Sequence, residues 1–247
     1  MDTRNQGHID VTRQGSVFVI TLSRPDSGNR VTQAMAEQAT SALEEARRDR
    51  AISGCVLTGD GDIFCLGGDY QGAGTSTDGR LEFARAFNDL VQAMKRLGKP
   101  LVAAVNGNAH AGGFSLVTAC DMAVVAENAT LGLPEAAHGL FPFLALAIVK
   151  DCLPKKVLFD MVYNARLLDA EEAKDLYLVN DVVAPPAVLA RAITRAGCTE
   201  SYNPDIISLG RDLYYNTRCS NPTEAIEQSR FALAAALKAL EEGSKRR

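Results

Sequence analysis

The groups in this chain that could do chemistry lie in a few short stretches. Gly67-Gly68 and Gly112-Gly113 each follow an apolar run, at 56–58 and 101–105. Glycine lets the backbone approach a ligand closely and adopt positive φ. A pair that opens a helix also presents N–H groups without intrahelical partners, at the positive end of the helix dipole. Two such donors converging on one point stabilise an oxyanion; the plainer reading is that the pairs only permit tight turns. Ser115 follows the second pair, and His138 and then Asp160 or Asp169 lie downstream. That is a Ser–His–Asp order, yet Phe114 and Leu116 flank the serine where a nucleophile elbow would need glycines. Glu135 follows Pro134, a place where glutamate commonly faces the N–H groups of a helix start. His110 and His138 lack the flanking acids of a metal site, so no metal is expected. No GxxxxGK[ST] occurs and no GxGxxG follows a strand, which removes the phosphate loops.

The elements that must position these groups alternate. Two β-branched alternating runs, 9–13 and 17–22, flank Gln14-Gly15-Ser16 and read as a hairpin. Helical spacing follows over 31–48 through Met35, Ala39, Leu43 and Ala46. "SGCVLTG" is short and nearly all apolar, as a strand buried on both faces must be. A loop over 59–79 leads to a helix over 81–97. "PLVAAVNG", "GGFSLVTAC" and "DMAVVAE" then give strand, helix and strand, and "ATLGLPE" a short extended piece. After Gly139 strands nearly vanish, and 141–152, 154–163, 170–176, 185–197, 205–216 and 222–242 read as helices. Strands alternating with helices predict an α/β core with a mostly parallel sheet or stacked sheets. Both glycine pairs then sit at carboxyl ends of strands, where α/β proteins gather ligands. The late helices carry one apolar stripe each and need something to cover.

Composition sets the bounds. A chain of 247 residues, 47% hydrophobic and 23% charged, suits one large soluble domain with or without an appendage. A net charge of −4 gives no footprint for nucleic acid or an anionic membrane surface. No apolar stretch is long enough to span a bilayer and no secretory leader is visible. Six cysteines are scattered without paired spacing, several inside apolar runs, which predicts reduced thiols in a cytoplasmic protein.

In order along the chain, "LSRPDSGN" (22–29), "FCLGGDY" (64–70) and "AAVNGNAHAGGFSLVTACDMAVVAENATLGLPE" (103–135) resemble the enoyl-CoA hydratase/isomerase family, the crotonases. "NARLLDAEEAKDLYLVNDVV" (164–183) extends the likeness over most of the sequence. The resemblance implies an α/β fold, a crotonase-like spiral of ββα units. Residues 1–180 would form the core with the acyl-CoA site, and 181–247 a helical region for trimerisation and site covering. Trimers or dimers of trimers are implied, as are acyl-CoA thioester substrates and no cofactor beyond their coenzyme A moiety.

Carried onto matching positions, the family's two thioester-oxygen donors are the amides of Gly68 and Gly112. Hydratases of the family commonly use two glutamates; one matches Glu135, and the other position holds Ser115. A serine hydroxyl can orient water but needs an activator to act as a base near neutral pH. Proton abstraction beside the thioester needs only one carboxylate. Arg24 and Arg30 flank the turn that would meet the nucleotide, and Cys65, Gly67 and Asp69 would line the same groove. Lys238 and the terminal Lys245-Arg246-Arg247 could approach the phosphates from a neighbour, and Tyr70 could line the acyl pocket. Where the family often has a glycine-rich stretch after the second glutamate, "HGLFPFLALAIVKDCLPKK" is bulky, with Phe141 and Phe143 placed to shorten that pocket. The functions to be separated are enoyl-CoA hydration or isomerisation, a non-catalytic acyl-CoA binder or scaffold, and a serine hydrolase built on Ser115.

Overall fold

The computed structural model describes residues 7–70, 72 and 76–244. Its N-terminal hairpin joins β1 (His8–Gln14) to β2 (Val17–Ser23), with Gln14 opposite Val17. The two-residue turn forces positive φ on Gly15, the residue type that tolerates it. From β2 the sheet runs parallel through β3 (Gly54–Gly59), β5 (Leu101–Val105), β7 (Met122–Ala126) and β10 (Asp181–Val183). Every residue of β3 and β5 is buried, which explains runs without polar alternation.

A second sheet has the order β4 (Ile63–Cys65), β6 (Asn108–His110), β8 (Thr130–Gly132) and β9 (Leu167–Asp169). Its three-residue strands are too short to show a period of two. Three of them fall in segments read from the sequence as loop, turn or helix-rich: β4 within 59–79, β6 within the turn after 105, and β9 beyond Gly139. β10 was likewise hidden in the last third.

Helix α1 (Gln33–Arg48) starts once the Thr32 hydroxyl accepts the Met35 N–H at 3.1 Å. It buries Met35, Ala36, Ala39, Ala42, Leu43 and Ala46, one face at helical spacing. Helix α2 (Thr77–Arg96), capped by Ser76, buries Phe83, Phe87, Leu90, Val91 and Met94. The short α3 (Gly112–Ala119) is nearly all buried, and packs against α2, β4, β5 and β6. Phe114, fully enclosed there, contributes about 1.5–3 kcal/mol through burial.

Beyond it come α4 (Phe143–Val149), α5 (Lys155–Tyr163), α6 (Ala170–Asp175) and α7 (Val188–Ala196), close to the helical segments expected from the sequence. The boundary expected at 181 falls inside the sheet. β10 pairs with β7, and α7 lies on β3, β5 and β7 through buried Val188, Ala192 and Ala196. α8 (Pro204–Thr217) packs on α9 (Pro222–Ser244) and is tied to the core through Arg211, which bonds Asp121 and the carbonyls of Met94 and Lys95; α8 has no buried residue, and Ile226, Phe231, Leu233 and Leu237 of α9 are exposed. Lys245-Arg246-Arg247 lie outside the described residues. Among the described residues no helix is long and apolar enough to cross a membrane.

Candidate active site

The two glycine pairs meet where the parallel strands end. β3 runs into β4 and then Leu66-Gly67-Gly68; β5 runs into β6 and then Ala111-Gly112-Gly113. Parallel pairing of β4 with β6 brings the loops side by side. A Cβ built on Gly112 would stand 3.4 Å from the Gly68 nitrogen, and one on Gly67 would stand 3.5 Å from the Gly112 nitrogen.

In each loop the backbone bonding leaves one N–H without a backbone acceptor. In the first, the Val31 N–H donates to the Gly67 carbonyl (2.9 Å) and the Asp69 N–H donates to the Val31 carbonyl (2.8 Å). This isolated bridge leaves the Gly68 N–H on the other side of the extended chain. In the second, Gly112 opens α3, where an N–H has no intrahelical acceptor. Among the described residues neither amide donates to a protein carbonyl. A Cβ on Gly68 would come within 2.6 Å of the tip of the Phe83 ring, which would have to shift, and Gly113 must be glycine because a Cβ would come within 2.0 Å of the Cys65 carbonyl oxygen.

Ser115 and Glu135 differ sharply. Ser115 is fully buried, and its hydroxyl donates to the Gly112 carbonyl at 2.7 Å, one turn back along α3. Glu135 stands in a 3-10 turn, Pro134–His138, that follows β8. Its Oε2 is buried with no hydrogen-bond partner. Burial raises the Glu135 pKa above the ordinary glutamate range, opposed by a backbone hydrogen bond. Tyr70, its ring edge-on to Phe83 at 4.9 Å, has its phenol pKa raised by burial and then by the charge of Glu135. Phe141 is half-buried, but Phe143, its ring tilted against it at 5.4 Å, is 71% exposed. Phe143 therefore faces outward from this chain instead of closing over the carboxylate.

The expected groove residues divide. Arg30 is exposed and its guanidinium donates to the Leu66 carbonyl at 2.6 Å, so it stays at the loop surface. Arg24 is little exposed and is ion-paired with Asp69 at 2.7 Å, while Asp69 also accepts the Gly72 N–H. Cys65 is buried, its thiol donating to the Gly67 carbonyl and accepting the Gly67 N–H, both at 3.4 Å. Burial pushes that thiol to about 11. Cys65 and Asp69 thus brace the loop from behind, and Arg24 is tied into that brace. Gly67, at φ 112, holds a backbone shape that a side chain would strain.

The hydrolase order does not assemble. The Ser115 hydroxyl is committed, Asp160 is held by Asn164 and Arg166, and Asp169 caps α6 through the Glu172 N–H. His138 is exposed. The Thr130 hydroxyl donates to Asn108, so it accepts from His110 Nε2–H at 2.9 Å. Burial, and then the charge of Arg30, lowers the His110 pKa and keeps the ring neutral.

Two participants were not visible in the sequence. Asn29, buried at φ 52, accepts the Arg24 N–H and donates to the carbonyls of Asp60 and Ile63, pinning the turn beneath the first loop. An asparagine beside a turn glycine signals only a turn. Ala111 has φ 53 and ψ −126 directly before Gly112, a conformation that alanine gives no sign of adopting. A cavity of about 870 Å³ lies at the far end of α3, walled by Val91, Cys120, Ile148, Arg211 and Tyr214. Neither glycine pair nor Glu135 lines it.

The enoyl-CoA hydratase/isomerase family model matches residues 12–238. A 2,3-dehydroadipyl-CoA hydratase of Escherichia coli is 32% identical over 78% of this chain and 76% of its own length. An enoyl-CoA hydratase of Mycobacterium tuberculosis is 29% identical over 88% and 84%. Among solved structures, an enoyl-CoA hydratase from Polaromonas superposes with a TM-score of 0.90 at 25% identity, covering 96% of this chain and 94% of the other. One from Mycobacterium smegmatis gives 0.88 at 26%, covering 97% and 96%.

Proposed function

We propose, for a chain that belongs to the enoyl-CoA hydratase/isomerase family, an enzyme that forms and quenches the enolate of an acyl-CoA thioester with one working carboxylate. In this reading the thioester oxygen is received by the amides of Gly68 and Gly112, which stabilise the negative charge that develops there. Glu135 takes a proton from a carbon near the thioester and returns it at another. Arg30 offers the exposed positive charge beside the loops for the coenzyme A phosphates. The apolar residues along α9 support assembly into trimers.

The observation that carries this reading is the contrast between Ser115 and Glu135. The serine hydroxyl is buried and bonded to Gly112, whereas the buried carboxylate oxygen has no partner. Hydration requires a group that holds and deprotonates water as well as a proton donor. Ser115 supplies neither, so double-bond isomerisation ranks ahead of hydration. Hydration is the second reading, favoured by the names of the relatives, and would require Glu135 to serve both steps in turn.

The test is a pair of assays on purified protein, one following loss of enoyl absorbance with crotonyl-CoA and one following conjugation of a 3-enoyl-CoA. Turnover of the 3-enoyl thioester well above that of crotonyl-CoA is expected. The reverse ratio selects hydration, and binding without turnover of either makes the protein a thioester binder.

A further inference from the structure

Ala111 is the one non-glycine residue in the path of the two donor loops whose backbone is left in a glycine-like shape. Its φ of 53 and ψ of −126 match the first central position of a type II′ turn, which glycine dominates because a Cβ crowds the backbone there. The surroundings over-determine this shape. The Ala111 N–H donates to the Gly132 carbonyl at 2.8 Å, the Ser115 N–H donates to the Ala111 carbonyl at 3.1 Å, and the preceding His110 is registered against Gly132 in the sheet. A residue held in a costly conformation by several anchors commonly marks a functional constraint.

The methyl has a definite target. It stands 3.0 Å from where a side chain on Gly67 would begin, so it packs on the Gly67 backbone across the gap between the loops. Gly67 immediately precedes the donor Gly68, and Ala111 immediately precedes the donor Gly112. The contact therefore links the two residues that directly precede the two donors.

We propose that Ala111 is a positioning residue, whose methyl acts as a spacer fixing the separation of the Gly68 and Gly112 donors. This rests on the oxyanion reading above. A glycine at 111 relaxes the backbone and removes the spacer, and a serine keeps the Cβ and with it the spacing.

The experiment compares native protein, Ala111→Gly and Ala111→Ser by thermal unfolding, steady-state kinetics and infrared difference spectra of bound carbonyl-labelled butyryl-CoA. The expected result for Ala111→Gly is a Tm raised by about 2–4 °C. Its thioester carbonyl frequency should move back toward that of free butyryl-CoA, and kcat should fall about 10-fold or more with KM within about twofold. Ala111→Ser should keep the native carbonyl frequency. A native carbonyl frequency and native kcat in Ala111→Gly would overturn the spacer role, as would a Tm lowered by several degrees, which marks a mere packing methyl. An unshifted carbonyl in the native protein would instead remove the donor pair itself, and the spacer role with it.

Discussion

The two loops of the candidate site are both held by main-chain bonds and differ in how much side chains add to them. The first, Cys65 to Asp69, adds side-chain struts to its backbone bridge with Val31: the Arg24–Asp69 ion pair and the Cys65 thiol on Gly67, with the Asn29 amide holding the carbonyls of Asp60 and Ile63 upstream. The second, His110 to Gly113, is braced mainly by backbone, through the β6–β8 ladder, the Ala111 N–H on Gly132 and the Ser115 N–H on Ala111, with the Ser115 hydroxyl on Gly112 beside them. Side chains used as struts are unavailable for chemistry. On the first loop nearly every polar side chain is committed that way. On the second, the β6–β8 ladder places the turn that carries Glu135, which directly follows β8, beside the loop's own strand.

This contrast predicts where activity and stability respond separately. The largest effect is expected at Glu135. Glu135→Gln keeps the shape and removes proton transfer, so kcat should fall by about 100-fold or more. Affinity for a saturated acyl-CoA should survive, which calorimetry measures. Native turnover in Glu135→Gln would send the search for the base back to other carboxylates around the loops.

The bracing itself is broken differently on each side. Gly113→Ala drives a Cβ into the Cys65 carbonyl, a backbone-to-backbone clash that cannot relax through a rotamer. The expected loss is roughly 2–4 kcal/mol in urea unfolding. Asp69→Asn removes one charge of a little-exposed ion pair but retains an amide oxygen for the Gly72 N–H, so roughly 1–2 kcal/mol is expected. A larger loss for Asp69→Asn than for Gly113→Ala would invert the comparison.

Much of this arrangement was legible beforehand, for physical reasons. Long apolar periodicities gave α1, α2 and the buried strands β3, β5 and β7, because burial on one or both faces writes itself into spacing. The ordered motifs gave the family, which the family match supports over residues 12–238. The short strands β4, β6, β9 and β10 were not legible, since three residues cannot display a period and their partners are distant in sequence. Cys65 and Asp69 were expected along the nucleotide groove, and their side chains are engaged within the protein, on Gly67 and on Arg24 and Gly72. Direction is set by pairing with Gly67 and Arg24, which no local pattern encodes. Ser115 was visible as a departure from the two-glutamate pattern, but the bond that occupies its hydroxyl became visible only with α3 in place. The strain at Ala111 left no trace in the sequence at all, because alanine is neutral in every pattern.

The smallest expected effect is a pH dependence that sets the partnerless carboxylate of Glu135 apart from the paired Asp69 of the first loop. Burial raises the Glu135 pKa in the folded protein above the value near 4.5 of an unhindered glutamate. Below that value the carboxyl is protonated in both folded and unfolded chains, and no penalty exists. Between the unfolded and folded pKa the folded protein holds more protons, so stability falls as pH rises through that window. Above the folded pKa the loss is complete. Glu135→Gln has no charge to bury, so its stability relative to the native protein should increase with pH across the window and then level off. Other titrating groups cancel in the difference. Activity runs the other way, because a base must be deprotonated, and kcat/KM should rise with pH along an acidic limb centred above 4.5. Unfolding of both proteins at intervals between about pH 4 and pH 8 measures the first effect, and the rate profile measures the second. A stability difference that stays flat over that range would mean that the Glu135 carboxylate is solvated in the folded protein. An acidic limb at or below the ordinary glutamate value would carry the same meaning, and the partnerless oxygen would lose its standing as the base.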